Sequence, residues 1–280
     1  MKIARTIAEL RQILGERRGV LVPTMGNLHQ GHLSLIALAH EHSDTGKRPV
    51  VASIFVNPLQ FAPTDDFDQY PRTFDNDCQA LEQARCDVLF APDEAALYPS
   101  PQTFRIQPDP ALADILEGAS RPGFFAGVCT VVMKLFQCVQ PSAAVFGKKD
   151  YQQLQVIARM IDQFALPIKL VAGETLRESN GLAMSSRNGF LSDEQRAQAA
   201  ALQRSLLAMR DQVLSGQTVD AAVAAAQATQ RASGLEPDYV GFHHRQGLLA
   251  MADPQAGRDK GVILAAAKLG SVRLIDNLEF

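Results

Sequence analysis

Basic charge is the first thing this 280-residue sequence lacks. Its 27 Lys and Arg are outnumbered by 30 Asp and Glu, giving a net charge of -3 and a pI near 6.1. That balance leaves no electrostatic footprint for nucleic acid or for an anionic membrane surface, so neither is expected as a partner. Cysteine is scarce as well. Cys78, Cys86, Cys129 and Cys138 form no Cys-x-x-Cys pair, and residues such as Cys129 lie in apolar company where a free thiol packs as a small hydrophobe. Such thiols fit a reducing cytosol. No stretch approaches the length of a membrane span, and Met1 to Ile7 carry no long apolar h-region, so the expectation is a soluble cytoplasmic protein. A Walker A loop, a Gly-x-Gly-x-x-Gly fingerprint and internal repeats are all missing too.

What is present is ordinary for a folded chain: 46% hydrophobic and 20% charged residues, enough for one large core or two modest ones. Two domains are expected. Ile7, Leu10, Ile13 and Leu14 stand at helical spacing, Val20 to Val22 is an apolar strand, and a second helix pattern runs on from Leu33. Pro49 to Val56 is a continuous apolar run of the sort that a parallel strand buried on both faces requires. Next come a helix over Phe74 to Ala84, a short strand over Asp87 to Phe90, a strand over Ala143 to Phe146, a helix over Tyr151 to Phe164 and a strand over Ile168 to Ala172. Gly127 to Phe136 is apolar on nearly all sides, and periodicity leaves helix and strand both open there. The loop between Gln60 and Arg72 is long enough to be functional, or else a mobile surface flap. The alternation of strands and helices predicts an α/β fold over residues 1–175, a doubly wound parallel sheet with its ligand at the carboxyl ends of the strands. Residues 176–280 read as a smaller α+β domain. There a capping box at Ser192 to Gln195 opens an Ala- and Gln-rich helix, a second helix covers Val219 to about Ala232, and strands cover 238–243, 261–269 and 272–277.

The organising stretch is Pro23-Thr24-Met25-Gly26-Asn27-Leu28-His29-Gln30-Gly31-His32, set between the Val20 strand and the Leu33 helix. A strand that ends at a proline, turns through glycine and opens a helix presents backbone N–H groups and a positive dipole end, where anions bind. Two histidines one turn apart beside that end make a phosphate clamp. The alternatives are a zinc half-site or a pair of solvated loop histidines. Zinc needs a third ligand and usually a fourth, and His40, His42, His243 and His244 stand in no recognisable ligand spacing.

Two further strand ends carry polar groups, Asn57 with Gln60 and Lys149 with Asp150, and convergence of strand ends at one edge is what a site requires. Taken singly, Gln60 could be a loop amide and Asp150 a helix cap. Ser185-Ser186-Arg187, between a turn at Gly181 and a new helix, suits a mobile phosphate-binding loop, its alternative being an interdomain linker. The chemistry such a site supports needs no protein nucleophile. A substrate carboxylate or phosphate attacking the α-phosphate of ATP in line requires only positioning and charge neutralisation. Mg²⁺ is expected on the phosphates, with Asp75, Asp77 and Asp150 as candidate carboxylates.

These motifs together resemble the pantothenate synthetase (pantoate:β-alanine ligase) family of the His-x-Gly-His nucleotidylyltransferase superfamily. The resemblance rests on Pro23 to His32, Ile54 to Phe61, Tyr70 to Arg72, Gly127 to Lys134, Phe146 to Gln153, Gly181 to Asn188 and Arg273 to Asn277. It implies a Rossmann-like first domain, a smaller C-terminal lid and a homodimer. It also implies a two-step reaction: pantoate and ATP give pantoyl adenylate and pyrophosphate, and β-alanine then displaces AMP. By matching motif, Pro23, Thr24, Met25, Gly26, His29 and His32 would contact ATP, with His32 the proton donor and His29 beside it. Gly147, Lys149, Asp150, Leu176, Met184, Ser185, Ser186 and Arg187 would complete the nucleotide site, Lys149 and the serines serving the triphosphate. Gln60 and Gln153, with Asn57, would hold pantoate, and Val131 and Val132 could line a pocket for its gem-dimethyl group. The sequence departs from the commoner family pattern at Phe124 for histidine, Lys148 for glutamate, Asn27 for alanine and Gln30 for glutamate. The competing readings are a nucleotidylyltransferase with a phosphate-ester acceptor, a non-catalytic nucleotide sensor and an aminoacyl-tRNA ligase. Two glutamines in the acceptor site count against the first, the presence of His32 and Lys149 against the second, and the missing basic domain against the third.

Overall fold

The structure, a computed structural model, describes residues 1–61, 67, 70–253 and 260–280. Most of the loop between Gln60 and Arg72 therefore lies outside the described residues. The chain divides into two compact units, Met1–Lys148 with Gln152–Glu174, and Lys149–Tyr151 with Thr175–Phe280.

The first unit is a six-stranded parallel sheet built from β1 (Lys2–Ala4), β2 (Val20–Thr24), β3 (Val50–Ile54), β4 (Val88–Phe90), β5 (Ala143–Gly147) and β6 (Lys169–Gly173), in the order β1-β4-β3-β2-β5-β6. Strand β1 is not legible in the sequence, since three residues carry no period. Its flanking helices are α1 (Ile7–Leu14), α2 (Gln30–Glu41), α3 (Phe74–Gln83), the single turns α4 (Glu94–Leu97), α5 (Pro110–Ala113) and α6 (Glu117–Ser120), and the longer α7 (Phe124–Val139) and α8 (Tyr151–Gln163). Sequence chemistry starts them: Thr6 and Glu9 form a reciprocal capping box at α1, with Oγ1 of Thr6 accepting from the Glu9 N–H at 3.2 Å. One layer of core joins Val20, Val22, Val50, Ala52 and Val145 to Leu35, Ile36 and Ala39 of α2. Each large apolar side chain fully buried contributes about 1.5–3 kcal/mol. The ambiguous run 127–136 lies inside helix α7, which buries Phe125, Val128, Cys129, Val132, Leu135, Phe136 and Val139. At sixteen residues it is longer than strands usually are, and that spacing is helical.

Strand order reverses between β2 and β5: the chain leaves β2 toward β3 and β4 on one side, and leaves β5 toward β6 on the other. This is the switch point at which doubly wound sheets open a crevice. Pro23 helps open it. β2 stays paired to β3 as far as Thr24 with Ile54, but its ladder to β5 stops at Leu21 with Ala144. A proline two residues on has no N–H with which to extend a ladder.

The second unit packs α9 (Asp193–Ala199), α10 (Ala201–Leu214) and α11 (Val219–Ala232) with an antiparallel sheet of β7 (Glu236–His244), β8 (Gly261–Leu269) and β9 (Val272–Glu279), in that order. The single helix expected from Ser192 is two, broken at Ala200. Ala199, Ala200 and Ala201 are all fully buried, small enough to pack where the chain changes direction. Leu202, Leu206 and Met209 of α10 meet Ala222 and Ala226 of α11 and Ile263, Ala265 and Ala267 of β8 in one core. Register pairs Leu269 with Val272, leaving Gly270-Ser271 as the hairpin turn.

Candidate active site

The histidine turn is built from the end of β2. Oγ1 of Thr24 donates to the Ser53 carbonyl at 2.7 Å and accepts from the Gly26 N–H at 3.3 Å, while the Phe55 N–H donates to the Thr24 carbonyl at 3.1 Å, tying this turn to the neighbouring strand. Gly26 has φ +83°, and a Cβ there would meet Oδ2 of Asp77 and Cγ2 of Ile54 at 3.1 Å, so glycine suits the position on both counts. Asn27 and Leu28 then donate their N–H groups to the two oxygens of Asp77, at 2.9 and 2.8 Å, and Oγ1 of Thr73 donates to the same carboxylate at 3.2 Å. Asp77 is 3% exposed and fully engaged, which removes it from the candidate Mg²⁺ ligands; its negative charge organises the turn.

Next in the chain, the two histidines cap α2 reciprocally. Nδ1 of His29 accepts from the Gly31 N–H at 3.1 Å, and Nδ1 of His32 accepts from the His29 N–H at 3.3 Å. A backbone N–H can only donate, so both Nδ1 atoms are acceptors and both neutral rings carry their proton on Nε2. The rings stand 4.1 Å apart between centroids, half-buried, at the positive end of a twelve-residue helix. Two Nε2–H donors side by side at a helix N-terminus are suited to phosphate oxygens.

After β3 the chain enters a 3-10 turn, Pro58–Gln60, whose Leu59 carbonyl lies against Gly127 of α7; a Cβ on Gly127 would be 2.1 Å from that oxygen. Asn57, expected at the substrate, is 1% exposed and its amide is satisfied by protein alone. It donates to the Gly127 carbonyl and to Oε1 of Gln60, both at 3.2 Å, and accepts from the Leu59 N–H at 3.3 Å and the Tyr98 hydroxyl at 3.0 Å. Burial pushes the Tyr98 phenol far above its ordinary pKa, which keeps it a neutral donor. Asn57 thus sits behind Gln60 and orients it. Nε2 of Gln60 reaches Sδ of Met25 at 3.0 Å, so the ends of β2 and β3 meet through two of the expected site residues. Phe124 has a place as well: the Arg121 guanidinium lies 3.9 Å over its ring and donates to the Gln60 carbonyl at 3.1 Å. Val131 lies one turn beyond Gly127 on α7, with Val131 and Val132 6% and 4% exposed. Gln153 is half-buried in the first turn of α8, while its neighbour Gln152 is buried and holds residues 112–117 through the carbonyls of Leu112 and Ile115 and the N–H of Glu117.

Gly147 ends β5 and Lys148 pairs with Glu174, which gives the second departure from the family pattern a local partner. Lys149 and Asp150 belong to the second unit, Nζ of Lys149 lying 3.8 Å from Oδ1 of Asp150. In that unit Leu176 and Met184 face each other across a short hairpin. The Met184 N–H donates to the Leu176 carbonyl at 2.9 Å, the Glu178 N–H to the Leu182 carbonyl at 2.8 Å, and Gly181 turns at φ +95°. At Ser185, where a mobile loop is expected, the chain enters a 3-10 helix, Ser186–Phe190, with Oγ of Ser185 accepting from the Arg187 N–H at 3.2 Å. Buried Asn188 braces it, donating to Oε1 of Glu178 at 2.8 Å and to the Ala183 carbonyl at 3.0 Å, and Arg196 bonds both Glu178 and the Asn188 carbonyl. Sequence reasoning missed the supports: Asp77 as an anchor, Tyr98 behind Asn57, and the Glu178, Asn188 and Arg196 brace. The one signal available was polar residues inside otherwise apolar surroundings, which does not name their partners.

Comparison with known proteins agrees with this architecture. Residues 2–279 match the family model described as Pantoate-beta-alanine ligase. A crystal structure of pantothenate synthetase from Thermus thermophilus is 44% identical, covers 100% of this chain and 99% of its own, and superposes with a TM-score of 0.93. Pantoate-beta-alanine ligase from Francisella tularensis, complexed with beta-gamma ATP and beta-alanine, is 33% identical over 100% of this chain and 97% of its own, with a TM-score of 0.81.

Proposed function

The chain belongs to the pantoate-beta-alanine ligase family, and on that premise we propose how its own side chains divide the work. The reaction is the ATP-dependent condensation of pantoate with β-alanine to pantothenate through a pantoyl adenylate, with release of AMP and pyrophosphate. In the first step a carboxylate oxygen of pantoate attacks the α-phosphorus in line. An O–P bond forms, the bond to the bridging oxygen breaks, and pyrophosphate leaves with that electron pair. In the second, the free amine of β-alanine attacks the acyl carbon; a C–N bond forms, the nitrogen gives up one proton to water, the C–O bond to the phosphate breaks, and AMP departs with that electron pair.

No covalent enzyme intermediate is required, so the protein acts by positioning and by stabilising developing negative charge. His29 and His32 hold the phosphates through Nε2–H, and the hydrogen bond from His32 stabilises the charge that grows on the departing oxygen, the proton staying on the ring. Lys149, Ser185, Ser186 and Arg187 offset the charge of the triphosphate. Pro23, Thr24, Met25, Gly26, Gly147, Asp150, Leu176 and Met184 form the rest of the nucleotide site, Leu176 at 40% exposure offering an apolar surface to the base. Gln60 and Gln153 hold the hydroxyls and carboxylate of pantoate, with Val131 and Val132 against its methyl groups. Mg²⁺ would supply charge neutralisation on the phosphates. With Asp77 engaged by backbone N–H groups, Asp150 would be a carboxylate left to help hold the ion, most of whose ligands the phosphates would supply. We also propose a cytoplasmic homodimer, in keeping with the four free thiols as regards the compartment.

The observation that carries the assignment is the reciprocal cap that leaves both imidazoles protonated on Nε2. His32→Ala is expected to lower kcat about 10²-fold or more, the usual loss when one donor to a developing negative charge is removed, while ATP still binds by calorimetry. Pantoate-dependent exchange of pyrophosphate into ATP, measured without β-alanine, should fall in parallel. Wild-type exchange from that variant would remove His32 from the chemistry.

A further inference from the structure

The run Arg273 to Asn277 has no part in the reaction derived above, yet Asp276 and Asn277 are 4% and 6% exposed, unusual for such side chains unless they are paired. Asp276 grips Arg177 with both oxygens, at 2.7 and 2.9 Å. The same guanidinium donates to the carbonyl of Gly181 at 3.1 Å, the turn of the hairpin that leads into Ser185, and to that of Asn277 at 3.3 Å. Nδ2 of Asn277 donates to the Lys149 carbonyl at 3.0 Å, and its N–H to Oδ1 of Asp276 at 2.7 Å. Two residues on, Oε1 of Glu279 accepts from the Tyr151 hydroxyl at 2.8 Å. Strand β9 therefore holds, by side-chain bonds, both segments that carry the cations and hydroxyls assigned to the triphosphate. All these groups lie in one compact unit, and β9 is itself held along its length by β8.

We propose that Asn277 and Asp276 are positioning residues for the adenylation step. Asn277 sets the turn bearing Lys149, and Asp276 sets the Ser185 to Arg187 segment through Arg177, so that the donors to the triphosphate keep a fixed spacing. The proposal rests on the assignment of Lys149, Ser185, Ser186 and Arg187 to the nucleotide. Neither positioning side chain touches a substrate, so their effect falls on the half-reaction in which the triphosphate is cleaved.

The test compares the two half-reactions in the full chain. In Asn277→Ala, pantoate-dependent exchange of pyrophosphate into ATP should fall about tenfold, as expected for a displaced charge-bearing group. The single-turnover rate of β-alanine attack on enzyme-bound pantoyl adenylate should stay within about twofold of wild type. The ratio of the two does not depend on how much enzyme is folded. Adding Asn277→Ala to Lys149→Ala should cost nothing further, because the group being positioned is gone. Arg177→Lys keeps the charge but loses the two-pronged contact, should show the same imbalance, and carries the test if the Asn277 variant fails to fold. Wild-type exchange, or equal loss in both half-reactions, overturns the proposal and leaves the site assignment standing. Wild-type exchange in Lys149→Ala overturns both.

Discussion

At the scale of single residues, the chemistry of the histidine turn depends on a carboxylate fifty residues away. Asp77 accepts from the N–H groups of Asn27 and Leu28, and hydrogen bonds to a charged group contribute about 1.5–3 kcal/mol each. Asp77→Asn keeps the shape but can present only one acceptor, turning an N–H donor toward a backbone N–H. We expect a loss of about 2–3 kcal/mol and a fall in Tm of several degrees, read by thermal circular dichroism, together with weaker pyrophosphate exchange because His29 follows directly. An unchanged Tm would show that the turn holds itself. The sequence marks Asp77 as a carboxylate near the first turn of a helix, which is how a metal ligand reads. Only the folded chain brings the two N–H groups to it. Phe124 makes the same point from the other side: an aromatic where the resemblance leads one to expect histidine reads as a defect, yet its ring lies under Arg121, which bonds the Gln60 carbonyl.

Elements inherit their roles from what terminates them. β2 ends at a proline and α2 begins on two histidines, and both features are readable because each is local in sequence. The segment after Ser185 is harder to read, since its hydrogen-bond partners Glu178, Asn188 and Arg196 are brought together only by folding. Strand β7 carries a half-buried titratable group of its own. Nδ1 of His243 lies 2.9 Å from the Leu248 carbonyl, and burial lowers its pKa from 6.5, partly opposed by that bond. Below that value the unfolded chain binds more protons than the folded one. Stability is therefore complete above about pH 6.5 and falls as the pH drops through the unfolded value toward the lower folded one. Urea unfolding of the full chain should show a lower midpoint at about pH 5.5 than at about pH 7.5, and His243→Gln should reduce the difference. An equal pH dependence in that variant would assign the effect to other groups.

On the scale of the whole molecule, the chain is matched over its entire length by solved relatives and covers nearly all of theirs. The proposed homodimer is checked by light scattering on the purified protein, which should read twice 30.4 kDa. A mass of one chain at micromolar concentration would sink it.

The sequence by itself determined the alternation of strands and helices, the histidine turn between β2 and α2 and the glutamines after β3 and at α8. Those features are written in short-range patterns: apolar runs, a proline stop and two imidazoles within one turn. The tertiary structure alone decided which strands flank β2, where its ladder to β5 ends, which nitrogen of each histidine carries the proton, and that Asn57 and Asp77 support the site from behind. These depend on partners tens of residues apart, and a hydrogen bond between such groups leaves no trace in spacing until the backbone has brought donor and acceptor within about 3 Å.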